Sequence, residues 1–249
     1  MRALKMIMTT VLATVAATAS ATDITVSAAA SLTNAFKEIG AAYEKEHAGD
    51  KVLFNFAASD PLVQQIAKGA PVDVFASADQ DAMDKAESLK LLAAGSRRDF
   101  ATNTLVLIAP ANSTLALKGV ADLRQAAVTR VTMGNPASVP VGRYARQALE
   151  QAKLWAAVEP KAIFGTSVRQ SLDYVARGEV DAGFVYATDA IVQKDKVRVI
   201  ATVPTATPVS YPIAAIAAGP QPAAGRKFVD YVLSPAAQAI LARHGFGRS

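Results

Sequence analysis

Two serines stand where this chain could meet an anion. In the segment AAASLTN, Ser31 follows a β-rich run and opens a helical one, and in FAASDP, Ser59 does the same. A helix that starts at such a turn offers backbone N–H groups with no intrahelical partner and a partial positive charge. That end can bind an oxyanion without any Lys or Arg. Serine is also a favoured N-cap, a role worth about 0.5–2 kcal/mol, and capping and ligand binding can coexist. Covalent chemistry by the same hydroxyls would need a general base within hydrogen-bond reach. The two histidines, His47 and His244, fall at the ends of surface helices. The chain has no H-E-x-x-H, no G-x-S-x-G and no Walker A segment. A secreted serine hydrolase is therefore the weaker alternative to a binding function.

The elements that must position these serines alternate. Strand signals at residues 24–27, 52–57 and 72–76 alternate with helical periods at 32–47, 62–68 and 81–88. A buried strand is expected at 104–109. The pattern then repeats, with strands at 130–133, 162–164 and 182–186 and helices at 142–151 and 168–177. Strands at 197–203 and 210–217 and two helices at 225–233 and 235–244 close the chain. Alternation of this kind predicts an α/β fold of two doubly wound lobes. The stretches 109–113 and 202–212 are the expected hinge crossings. In such sheets ligands bind beyond the carboxyl ends of the strands, where both serines fall.

Composition limits the rest. The chain has 249 residues, of which 51% are hydrophobic and 19% charged, enough for a globular core. Arg2 and Lys5, an apolar stretch, and Ala19-Ser20-Ala21 predict a secretory signal peptide over residues 1–21, cut after Ala21. Its removal takes away two basic residues and no acidic one, so the formal charge falls from +5 to +3. The basic residues are scattered, and no nucleic-acid partner is expected. Without cysteine there is no disulfide, no zinc–thiolate site and no attachment point for an N-terminal lipid. An untethered secreted binder suits a periplasm.

Longer motifs carry a family resemblance. SAAASLTN at 27–34, FAAS at 56–59 and GAPVDVFASAD at 69–79 resemble the periplasmic molybdate-binding proteins of ABC importers. So do GNPASVPVGRYA at 134–145, TSVRQSLDYVARGEVDAGFVY at 166–186 and YPIAAI at 211–216. The match runs through the mature chain in order. The resemblance implies a type II periplasmic binding protein, with residues 22–109 and 211–249 in lobe 1 and 110–210 in lobe 2. It implies molybdate, or tungstate, held by Ser31 and Ser59, by the backbone N–H groups of Val141 and Val168, and by the Tyr186 hydroxyl. It also implies an inner-membrane permease as partner, a monomeric binder, no enzymatic activity and no cofactor, the metal being bound only as its oxyanion.

Two positions depart from the family pattern. Val141 stands where the family often has Ala, which an N–H ligand tolerates. Asp60 stands where a small neutral residue is common. With Pro61 at the first helical position, Asp60 is expected to cap that helix and to turn its charge from the anion. Were Asp60 to face the ligand instead, it would supply the acceptor that phosphate needs for its own proton. Sulfate or phosphate is therefore the alternative cargo.

Overall fold

The computed structural model describes residues 22–249. The expected signal segment, residues 1–21, lies outside the described residues. The first lobe is built from β1 (Asp23–Ala29), a 3-10 turn at Ala30–Leu32, α1 (Thr33–Glu46), β2 (Lys51–Ala57), α2 (Ser59–Ala67), β3 (Val74–Ala76), α3 (Gln80–Ser88) and β4 (Arg98–Asn103). The second holds β5 (Leu105–Pro110), β6 (Val131–Gly134), α4 (Pro140–Gln151), α5 (Trp155–Val158), β7 (Ala162–Gly165), α6 (Val168–Ala176), β8 (Ala182–Tyr186), α7 (Ala187–Val192) and β9 (Val197–Thr202). The chain then returns to the first lobe through β10 (Val209–Ala215), α8 (Pro222–Val232) and α9 (Pro235–Arg243).

Each lobe is a five-stranded sheet, ordered β2-β1-β3-β10-β4 in one and β7-β6-β8-β5-β9 in the other. Within each, four strands run in one direction, and the incoming strand, β10 or β5, runs against them. The reason is connectivity. β5 and β10 enter from the opposite lobe, so they start at the cleft where β1, β3, β6 and β8 end.

Sheet membership moves one expected boundary. Residues 104–109 read as a strand ending lobe 1, yet β5 pairs with β8 and β9 and belongs to lobe 2. The first crossing is therefore at Asn103–Thr104, not at 109–113. A strand at Arg98–Asn103, polar enough to escape the periodicity reading, is the last of lobe 1 before the chain crosses. The second crossing, between β9 and β10, falls inside the expected 202–212 stretch.

The cores follow from the helical stripes. Phe36, Ile39 and Tyr43 on one face of α1 are fully buried. The Phe36 ring meets those of Phe54, Phe100 and Phe228, so α1, β2, β4 and α8 share one aromatic cluster. In lobe 2, Leu107, Ile108 and Phe184 are likewise sealed. Burial of each large apolar side chain contributes about 1.5–3 kcal/mol.

One close approach fixes where α4 begins. A Cβ placed on Gly142 would lie 1.9 Å from the carbonyl oxygen of Gly134, at the end of β6. Only glycine lets the first turn of α4 sit that near the strand end. Gly142→Ala must push the helix start away. It is expected to cost at least about 1–3 kcal/mol in chemical denaturation, the range for overpacking. An unchanged denaturation midpoint would mean that α4 has slack at this end.

Candidate functional site

Helices from both lobes start at the cleft. The 3-10 turn at Ala30–Leu32 leads into α1, and α2 starts at Ser59, both from lobe 1. From lobe 2, α4 starts at Pro140 and α6 at Val168. Plain capping does not account for the two serines. No side chain caps α2, whose preceding residue is Ala58, and none caps the turn that contains Ser31. Val139 before α4 provides no side-chain cap either. Ser167 caps α6, but at the N–H of Gln170, which leaves that of Val168 to other partners.

The structure brings Ser31, Ser59, Val141, Val168 and Tyr186 into one cavity between the lobes. Ala29, Ala30, Ala58 and Ala78 complete its lobe 1 wall, and Val139 and Pro140 its lobe 2 wall. None of these described lining residues is charged. The void is small, about 10 Å³, close to the least that holds one water. All five side chains are buried.

The hydroxyls are oriented by what lies behind them. Ser59 Oγ accepts from the Ala78 N–H at 3.1 Å, so its own proton is free to point elsewhere. Ser31 Oγ lies 3.1 Å from Tyr211 Oη. Tyr211 Oη in turn accepts from Asn103 Nδ2 at 3.2 Å, and Asn103 Oδ1 takes the Thr104 N–H at 2.8 Å. With Asn103 donating to it, Tyr211 Oη can in turn donate to Ser31 Oγ, an arrangement that leaves the Ser31 proton for the cavity. Burial pushes the phenols of Tyr186 and Tyr211 well above their ordinary range, so both remain neutral donors. Tyr186 Oη donates across the cleft to the Ala78 carbonyl at 3.3 Å. The cavity is thus rich in donors and lacks an anionic acceptor.

The charges sit just outside it. Arg143, on α4, donates to Asp79 through Nε at 2.8 Å and Nη2 at 2.6 Å, and to Asp60 through Nη2 at 2.7 Å. Lys85 Nζ lies 3.6 Å from the other Asp60 oxygen. Asp60 therefore does not cap α2 as expected. The helix begins two residues earlier than expected, at Ser59 rather than Pro61, and the Asp60 carboxylate turns to these two cations instead. Asp79 uses its second oxygen to cap α3 at the Ala82 N–H. Burial pushes the Asp79 carboxyl up, opposed by Arg143. Burial works against the Arg143 charge, but Asp79 and Asp60 more than offset it and its pKa stays raised.

A second arginine does the same on the α6 side. Arg169 Nη1 donates to Asn34 Oδ1 at 2.9 Å and Nη2 to the Ser31 carbonyl at 3.3 Å, both in lobe 1. Its Nε lies 2.6 Å from Asp189 Oδ1 in lobe 2. A larger cavity of about 530 Å³ opens beside Arg143, but Asp79, Asp81 and Asp99 line it. Three carboxylates against one guanidinium make it a poor place for an anion.

The whole described chain has relatives. A family model described as bacterial extracellular solute-binding protein matches residues 24–247. The chain belongs to that family. It is 38% identical over 238 residues to the molybdate-binding protein ModA of Escherichia coli (strain K12), a match covering 90% of this chain and 88% of the relative. In fold it resembles the periplasmic molybdate-binding protein of Azotobacter vinelandii, with a TM-score of 0.80 and 23% identity over 91% of this chain and 99% of that one. The sulfate-binding protein SubI of Mycobacterium tuberculosis H37Rv shares the fold at a TM-score of 0.78 and 18% identity, over 90% of this chain and 86% of that one. This solute-binding protein is accordingly a binder, not an enzyme.

Sequence reasoning missed Arg143, Asp79, Arg169 and Asp189. Asp79 had a local signal, since an acidic residue just before a helical run is an N-cap signature. The arginines had none, because their hydrogen-bond partners across the cleft lie 64 residues or more away and Asp189 lies 20 residues from Arg169, beyond any local pattern. Asp189 is wholly buried, and burial pushes its carboxyl up to about 6 despite Arg169. The folded solute-binding protein therefore holds this proton more tightly than the unfolded chain. Asp189's contribution to stability is largest below about pH 4 and is lost as the pH rises through about 6. Asp189→Asn does not titrate there. Thermal unfolding from pH 4 to 7 is expected to show the variant gaining on the wild type by about 1–3 kcal/mol as the pH rises. A constant difference would mean that Asp189 is ionised throughout.

Proposed function

We propose that this protein captures a tetrahedral dianion, molybdate or tungstate, in the cavity between its lobes and delivers it to an inner-membrane ABC permease. The observation that carries this reading is the convergence of Ser31, Ser59, Val141, Val168 and Tyr186 on one small uncharged cavity. The Ser31 and Ser59 hydroxyls and the Val141 and Val168 N–H groups act as the donors, and the Tyr186 hydroxyl joins them by turning from the Ala78 carbonyl to the anion. A donor-only site lowers the desolvation cost that a buried ion pair carries. It also selects against monohydrogen phosphate, whose own O–H would be left unpaired at a cost of about 1–3 kcal/mol. Asp60 could have accepted that proton, but it is engaged by Arg143 and Lys85 and is not among the cavity's lining residues. Against sulfate, which is also unprotonated at neutral pH, size must discriminate. The relatives named for molybdate support the larger anions.

The setting fits the same reading. A signal peptide cut after Ala21 would send a monomeric binder to the periplasm. No helix among the described residues is long and apolar enough to cross a membrane.

Titration calorimetry against molybdate, tungstate, sulfate and phosphate tests the cargo. Molybdate and tungstate should bind tightly, with sulfate and phosphate much weaker. Phosphate binding as tight as molybdate would sink the assignment. Ser31→Ala and Ser59→Ala should each weaken molybdate binding by about 1.5–3 kcal/mol, as for hydrogen bonds to a charged group. Ser59→Ala should also lower stability, because the buried Ala78 N–H loses its acceptor. Full molybdate affinity in the double variant would remove both serines from the site.

A further inference from the structure

The cation–carboxylate cluster outside the cavity has a geometry that its position between lobes makes consequential. Asp60 lies in the first turn of α2 and Asp79 precedes α3, both in lobe 1, whereas Arg143 lies on α4 of lobe 2. All three side chains are largely withdrawn from water, with relative exposures of 17% for Arg143, 10% for Asp60 and 4% for Asp79. Arg143 stands two residues beyond Val141 on the same first turns of α4. A rigid movement of α4 that brings the Val141 N–H to the cavity must also bring Arg143 to the two carboxylates. We propose that Arg143, Asp60 and Asp79 form a charge latch that shuts the lobes, so that Arg143 is a positioning residue that sets how slowly the bound anion leaves. The link to anion release rests on the function proposed above; the latch itself does not.

The energetics suit a latch that a ligand controls. With the lobes apart, the guanidinium and both carboxylates are hydrated. Closing strips that water and forms the ion pairs, and for buried pairs the two terms nearly cancel. The latch therefore does not hold an empty protein permanently shut, and the anion's own contacts tip the balance. Truncating one partner changes this. Without the guanidinium, closure buries two carboxylates facing each other, with only Lys85, 3.6 Å from Asp60, to offset them. Loss of one partner of a buried charge pair acts mainly on dissociation.

The test uses stopped-flow kinetics with sodium molybdate and single-molecule energy transfer between dyes on cysteines placed at exposed Leu53 and Ile163, one in each lobe. Arg143→Gln should raise the molybdate off-rate at least tenfold and leave the on-rate within about threefold. Asp60→Asn, which leaves the Arg143–Asp79 pair intact, should raise it less. The combined variant should release molybdate more slowly than Arg143→Gln alone, because removing the Asp60 charge relieves the exposed repulsion. A merely structural role for Arg143 would not produce that reversal. The dye pair reads the latch without ligand: Arg143→Gln should reduce the closed fraction of the empty protein. If wild-type protein fails to bind molybdate but its closed fraction still falls in Arg143→Gln, the cargo assignment is wrong and the latch stands. An unchanged closed fraction in Arg143→Gln overturns the latch, as does an off-rate within twofold of wild type in a protein that binds molybdate. Circular-dichroism melting checks that each variant is folded.

Discussion

A helix that begins in a buried place must find acceptors for its first backbone N–H groups. An unpaired buried donor costs about 1–3 kcal/mol, and each helix has up to four of them. In this protein the α2 and α4 ends lack a side-chain cap, and they meet the ends of α1 and α6 at a cavity with no acidic lining residue. Much else in the structure follows from that. The strands must end at the cleft so that the helices can start there. Gly142 must be glycine so that α4 can start close enough to β6. Ser31 and Ser59 Oγ are each held from behind, by the Tyr211 hydroxyl and by the Ala78 N–H, and the Ser59 proton is left for the cavity.

Charge is kept near this place but out of it. Arg143 and Arg169 lie within two residues of Val141 and Val168, so each of these cavity-facing helix starts in lobe 2 carries a cation beside it. Neither cation faces the cavity, because each is neutralised by carboxylates: Asp60 and Asp79 for Arg143, and Asp189 for Arg169. Both also reach lobe 1, which makes them part of how the lobes meet. An unneutralised arginine in the cavity would attract any anion, protonated or not. Neutral donors with fixed directions discriminate by shape and against any anion whose own O–H needs an acceptor. On the proposed reading, that is why the arginines are held outside.

The fold alone does not choose the cargo. A sulfate-binding protein shares it closely at 18% identity. The lobes supply a hinge, two sets of helix starts and a closed space between them. What differs among such proteins has to be the side chains and the volume at the meeting point, and here these are small residues, two serines and a tyrosine.

Much of this was legible in the sequence. Alternating periodicity determined the two α/β lobes, because strand and helix faces must each bury an apolar side. The serines at strand-to-helix turns point to the cleft from the sequence alone, since the carboxyl ends of such strands share one edge. The lobe boundary at Asn103–Thr104 was not legible. A strand buried on both faces, such as β5, reads the same in whichever sheet it sits, and only its partners β8 and β9 assign it. Nor could the sequence say what Asp60 does. Next to a proline at a helix start, a carboxylate has a local use as a cap, and local rules therefore assign it one. Its actual partners are Lys85 and, 83 residues away in the other lobe, Arg143. The local pattern determined where helices start and which groups their ends leave unpaired. The tertiary structure alone decided which charges meet across the cleft, because a long side chain bonds to whatever the folded chain brings within its reach.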